Sequence, residues 1–141
     1  MKRHLACAVC LIILSVLPAS AQFTRQLTAD IPFGFYAGDK WLAAGEYKFL
    51  VNDNVVTVQS PEQPEALLFA RHSANGDKNS APSITFTKYS NDRIFLARLY
   101  NPAWSVTPDL VKSKREREVV SSRVVCRNRL ETVVILARLS R

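Results

Sequence analysis

Cysteine is scarce in this chain, and most of the little there is sits at the wrong end. Of three cysteines, Cys7 and Cys10 lie in an apolar leader. Only Cys126 belongs to the remaining body, so no internal disulfide can staple the fold. Histidine is scarcer: beyond the leader only His72 is left, in the polar stretch His72–Ser83. One imidazole and one thiol without ligand-spaced partners supply no zinc site, and the triplet Asn52-Asp53-Asn54 has too few oxygen ligands for calcium. The four glycines form neither a phosphate-cradling loop nor a Gly-x-Ser-x-Gly elbow. No aromatic residue follows Trp104, which removes the stacking platform of a single-strand nucleic-acid binder from the C-terminal part. No metal, no cofactor and no nucleophilic triad is therefore expected.

What is present begins with an export signal. Lys2 and Arg3 precede a 13-residue apolar run, Leu5–Leu17, and Ala19-Ser20-Ala21 offers a small-residue cleavage site. The run is too short for a membrane span, which needs roughly 20 apolar residues. The reading is a signal peptide over 1–21 and a single extracytoplasmic domain over 22–141, periplasmic or secreted, without a transmembrane segment. Loss of Lys2 and Arg3 lowers the net charge from +7 to +5. Between Gln22 and Ser105 eight basic residues balance eight acidic ones, whereas Val106–Arg141 holds nine basic and four acidic. The electrostatic surface is thus expected near the C-terminus.

Period-two alternation dominates the first hundred residues. Leu27, Ala29, Ile31, Phe33 and Phe35 share one face of a strand that Pro32 demotes to an edge strand or an irregular one. Gly38-Asp39 reads as a hairpin turn, Leu42-Ala43-Ala44-Gly45 as a type I turn, and Tyr47, Phe49 and Val51 as the inward side of the next strand. "VVTVQ", "EALLFAR", "SITFTKY" and "RIFLARLY" continue the series, the last two joined through Ser90-Asn91-Asp92. The closing strand, about 131–139, has an unbroken apolar run and is expected to be buried on both faces. The fold class is all-β: a small antiparallel sandwich or partly closed barrel of about 7–8 strands. One short helix, about 114–124, starts at a Ser113–Glu116 capping box, with Asn128 as its stop.

The stretches "ADIPFGFYAGDKWLAAGEYKF" and "KSKREREV" make the chain resemble an uncharacterised family of small exported bacterial proteins. Members typically carry Leu-Pro-Ala-Gly in the second turn; Ala43 takes the proline's place and frees φ there. The resemblance implies an extracytoplasmic β-rich domain and carries no reaction, ligand or catalytic residue.

The functional expectation is an exported, non-enzymatic β domain that binds a partner or serves as a structural or interaction module. Lys112, Lys114, Arg115, Arg117, Arg123, Arg127 and Arg129 are its candidate anionic-surface residues. Their partner would be an anionic envelope polymer, a lipid surface or an acidic protein; nucleic acid is disfavoured by export. Trp104, in "NPAWSVTP", either plugs the end of the core or projects as an interface anchor. Two alternatives share the fold. A small barrel could hold an apolar molecule among Phe33, Phe35, Tyr47, Phe49, Phe86 and Phe95. A carboxylate-dependent glycan hydrolase could use two of Asp30, Glu46, Glu62, Glu65 and Asp92 if they converge.

Overall fold

The computed structural model describes residues 25–62, 65–74, 80–89, 91–122 and 130–139. Eleven strands and one helix follow in order: β1 (Arg25–Ile31), β2 (Phe35–Ala37), β3 (Lys40–Leu42), β4 (Gly45–Asn52), β5 (Val55–Gln59), β6 (Ala66–Ala74), β7 (Ser83–Lys88), β8 (Ile94–Tyr100), β9 (Val106–Leu110), α1 (Lys114–Ser121), β10 (Glu131–Leu136) and β11 (Arg138–Leu139). The all-β class with a single C-terminal helix holds. Among the described residues no helix is long and apolar enough to cross a membrane.

Two strands change sheets, and they make the architecture. The first half of β6 pairs with β5 and its second half with β9. The last strand does the same at the other corner: β10 pairs with β7, and β11 with β1. Hydrogen bonding follows the path β10-β7-β8-β9-β6-β5-β4-β1-β11. The sheet is not closed, because its two ends are joined along the chain through Ala137 rather than by a ladder. Strands that bend from one sheet into the other form the corners of such a sandwich.

The strand count exceeds the expected 7–8 because single apolar runs are cut. Pro32 has no N–H to give a ladder, so the strand is irregular rather than an edge: β1 ends at Ile31 and the chain resumes as β2. Ala137 divides the final run in the same way. The polar stretch from His72 is shorter than expected: β6 runs on to Ala74, with His72 opposite Pro108 on β9. The helix stops at Ser121, before 124, where the Ser122 N–H reaches the Glu118 carbonyl. Cys126 and Asn128 lie outside the described residues.

The interior is filled by the alternating positions. Leu27, Ile31, Phe35, Leu42, Phe49, Val56, Ile84, Phe86 and Leu99 are fully buried, each contributing about 1.5–3 kcal/mol by leaving water. The Phe35 ring meets Tyr47 and Phe86 edge-on, with centroids 5.2 Å from each, and Phe33 meets Phe86 at 5.3 Å. Trp104 belongs to this cluster. It is held by a turn in which buried Asn101 accepts from the backbone N–H of Ala103 and of Trp104.

A bulge builds the second, smaller core. Opposite Thr85 and Phe86, β8 carries one extra residue, Ala97. The alternation changes phase there, so Leu96 and Leu99 point into the main core while Phe95 points outward, under α1, with Tyr89 and Val119.

The expected two-sided burial of the last strand is not found. Val134 is 55% and Leu136 71% exposed, because β10 ends the hydrogen-bonded path and, among the described residues, no layer covers its outer face.

Candidate binding groove

The stretch around Gly38 and the stretch around Ser113 meet in space. In the β2–β3 hairpin, Gly38 has φ +66°, the positive value this two-residue turn asks of its first position. The turn points Asp39 at the start of α1, where its Oδ1 accepts from the Arg115 backbone N–H at 2.9 Å. Ser113 Oγ accepts from the Glu116 N–H at 3.1 Å, so two of the helix's orphan donors are satisfied. The Arg115 N–H holds the Asp39 carboxyl below its ordinary range. Ser113 and the charges of Arg115 and Lys114 act in the same direction, against a partial desolvation. The Arg115 guanidinium lies 5.2 Å from the centroid of the Tyr36 ring, and Tyr36 stacks on Phe95. On the inner side of α1, buried Glu116 accepts from the Tyr89 hydroxyl at 2.7 Å. This is a clip in which Asp39, Ser113, Arg115, Glu116 and the Tyr89 hydroxyl each find a partner within the protein. Trp41, on the same hairpin, lies so close over Gly34 that a Cβ there would come 2.7 Å from its Cζ2.

A second set of polar groups lies on the outer side of β11, β1, β4 and β5. Arg138, Thr28, Lys48 and Gln59 stand opposite one another in one row across the four strands. In the next row Asp30 stands opposite Glu46. Three clefts run together over these rows. One of about 420 Å³ is lined by Thr28, Glu46, Lys48, Gln59, Ser60 and Glu62, among others. A second, of about 460 Å³, shares Lys48, Gln59, Ser60 and Pro61 with it and adds Glu65. A third, of about 490 Å³, shares Thr28 and Glu46 and adds Asp30, Leu136 and Arg138. Beneath the groove Tyr47 is buried and donates to the Ala43 carbonyl at 2.6 Å. Its burial, with the Glu62 charge nearby, raises the phenol pKa.

Four of the five candidate carboxylates therefore line one groove, which the sequence alone did not bring together. The fifth, Asp92, sits at the β7–β8 turn beside Lys88, 3.5 Å away. Asp30 and Glu46 rise from neighbouring strands of a single wall, with Cβ atoms about 5 Å apart. The pairing of Asp30 with Glu46 follows from the β1–β4 register, a signal present in the alternation but unreadable without the partner strand. Of the basic residues, Lys112, Lys114 and Arg117 are exposed, and Arg115 is exposed but engaged with Tyr36. Arg123, Arg127 and Arg129 lie outside the described residues. Among the described residues no cluster of three or more metal-ligating side chains occurs.

Fold and surface define a class: an all-β domain with a filled interior and an open, polar, mixed-charge groove. Compared with known proteins, the chain matches no protein-family model, no curated protein and no solved structure.

Proposed function

We propose that the chain is an exported, non-enzymatic binding module that works outside the cytoplasm and takes an extended, hydroxyl-rich polymer bearing ammonium groups along the groove. The observation that carries this is the placement of Asp30 directly opposite Glu46 where two clefts join. Like charges at such a position destabilise a sheet, and a bound donor of positive charge or hydroxyl hydrogens relieves the repulsion. Thr28, Gln59 and Ser60 extend the hydrogen-bonding wall along the groove.

Two features support binding over the alternatives. A glycan hydrolase sets its two carboxyls on opposite sides of the scissile bond, whereas Asp30 and Glu46 project from one wall. An apolar-ligand barrel needs room among the core rings, and Phe35, Tyr47 and Phe86 are in edge-to-face contact there. The export signal, Lys2 to Ala21, supports the compartment.

The test is titration of residues 22–141 with a glucosamine tetramer, followed by amide NMR. Shifts confined to Thr28, Glu46, Lys48 and Gln59, and lost in Glu46→Gln, are expected. Absence of binding to this tetramer and to a neutral glucose tetramer alike would overturn the reading. A second reading, an anionic polymer held by Lys112, Lys114 and Arg117, is favoured by their shared exposure around α1. It requires heparin affinity that falls steeply between low and physiological salt.

A further inference from the structure

The outer edge of β10 has a donor and acceptor pattern that no other described residue uses. The Ala137 N–H donates to the Pro82 carbonyl at 2.9 Å, which fixes the direction of every residue before it. Backbone groups alternate sides along a strand, so Glu131, Val133 and Ile135 face β7 while Thr132, Val134 and Leu136 face away. Among the described residues nothing pairs with that second edge. The same three positions carry the outward side chains, and two of them are apolar and more than half exposed. Exposed sheet edges are ordinarily blunted by lysine, proline or a covering loop. None of these residue types occurs between Glu131 and Leu136.

We propose that this edge pairs with β10 of a second copy of the chain, antiparallel about a two-fold axis, continuing the sheet from one molecule into the other. An antiparallel edge is complementary to itself, because a two-fold turn brings each N–H to a carbonyl. Only the register with Val134 opposite Val134 uses all three outward residues of both copies, setting Thr132 against Leu136 at each end. That register lays Glu131 of one copy opposite Ala137 of the other, and Glu131 keeps its ion pair with Lys88 of its own β7 at 3.7 Å. The two Val134 and two Leu136 side chains then form one apolar cluster astride the axis. The cleft of about 490 Å³ beside Leu136, between β10 and β1, is the space the incoming strand enters. The inference is argued from the edge of β10, and the incoming strand would share with the groove described above the cleft lined by Asp30, Glu46 and Arg138.

Sedimentation of residues 22–141 over a concentration series tests it. A monomer–dimer equilibrium is expected, weakened at least tenfold by Val134→Pro. That substitution removes only an outward-facing N–H, and far-UV circular dichroism matching the parent shows that the fold is kept. Leu136→Lys should weaken the dimer as well, through the apolar cluster. Register is tested by crosslinking in a Cys126→Ser background. Val134→Cys should form a disulfide across the axis, where facing Cα atoms lie about 5.5 Å apart, and Thr132→Cys should not. A monomer at every concentration overturns the proposal. So does a dimer indifferent to both substitutions, or one captured equally well by Thr132→Cys.

Discussion

At the hairpin–helix clip, Asp39, Arg115 and Glu116 each find a partner within the protein. On the outer face of β1, β4 and β11, the same kinds of side chain, Asp30, Glu46 and Arg138, look into a groove, and no ion pair or hydrogen bond joins them. Residue type does not separate the two regions; geometry does. The clip closes because a two-residue turn with Gly38 at positive φ points a carboxylate at the bare N–H groups of a helix start. The groove stays open because a pleated wall holds its side chains parallel, so opposite neighbours in the Asp30–Glu46 row repel instead of pairing.

That contrast can be broken from the clip side first. Tyr89→Phe removes the hydroxyl that serves buried Glu116 and should cost about 2 kcal/mol in urea unfolding, since an unpaired buried polar group costs about 1–3 kcal/mol. Glu116→Gln keeps an acceptor for that hydroxyl and should cost clearly less. Equal losses in the two variants would mean that the bond itself contributes little.

Next comes Gly38→Val. A branched side chain at φ +66° should cost about 1–2 kcal/mol and loosen the hairpin from α1, readable as lost amide protection at Arg115. Full protection with reduced stability would separate the turn from the clip.

Asp39→Ala is expected to cost about 0.5–1 kcal/mol, as for other helix-start acceptors, and to carry a pH signature. The carboxyl titrates below its ordinary value of 3.8 in the folded protein. Its contribution is therefore complete above that value and disappears as pH falls through the folded pKa. Wild type and Asp39→Ala should differ at pH 7 and converge in acid; a constant gap down to pH 2 would contradict the cap.

The smallest effect on stability is expected in the groove. Asp30→Asn combined with Glu46→Gln should leave unfolding within about 0.5 kcal/mol of wild type, or raise stability slightly as the cross-strand repulsion goes. The same double variant should lose the amino-sugar oligomer. A large destabilisation would make this pair part of the architecture, and the contrast between groove and clip would fail.

Much of the fold was legible because the first strands obey one rule. Leu27, Ala29 and Ile31 alternate with Thr28 and Asp30, and Tyr47, Phe49 and Val51 alternate with Glu46 and Lys48; in both strands the first set is buried and the second faces the groove. The hairpin turn at Gly38 and the Ser113 cap could also be read locally, since each satisfies its own neighbours. The final strand misled for the same reason. Its continuous apolar run suits burial on both faces, but burial depends on what lies outside β10, and that is not encoded within the run. The groove was illegible as a place because its acids come from β1, β4 and the segments around Pro61 and Glu65, which meet only through strand register.

Alternation, turn residues and the capping serine determined by themselves that this chain forms short strands, a hairpin at Gly38 and a helix after Ser113, since backbone sterics and neighbouring hydrogen bonds act over a few residues. Tertiary structure alone decided that Asp39 meets Arg115, that Asp30 faces Glu46, and that β10 ends the hydrogen-bonded path among the described residues. Those outcomes depend on which strand lies beside which, and that is settled by the burial of a shared core rather than by any one stretch of sequence.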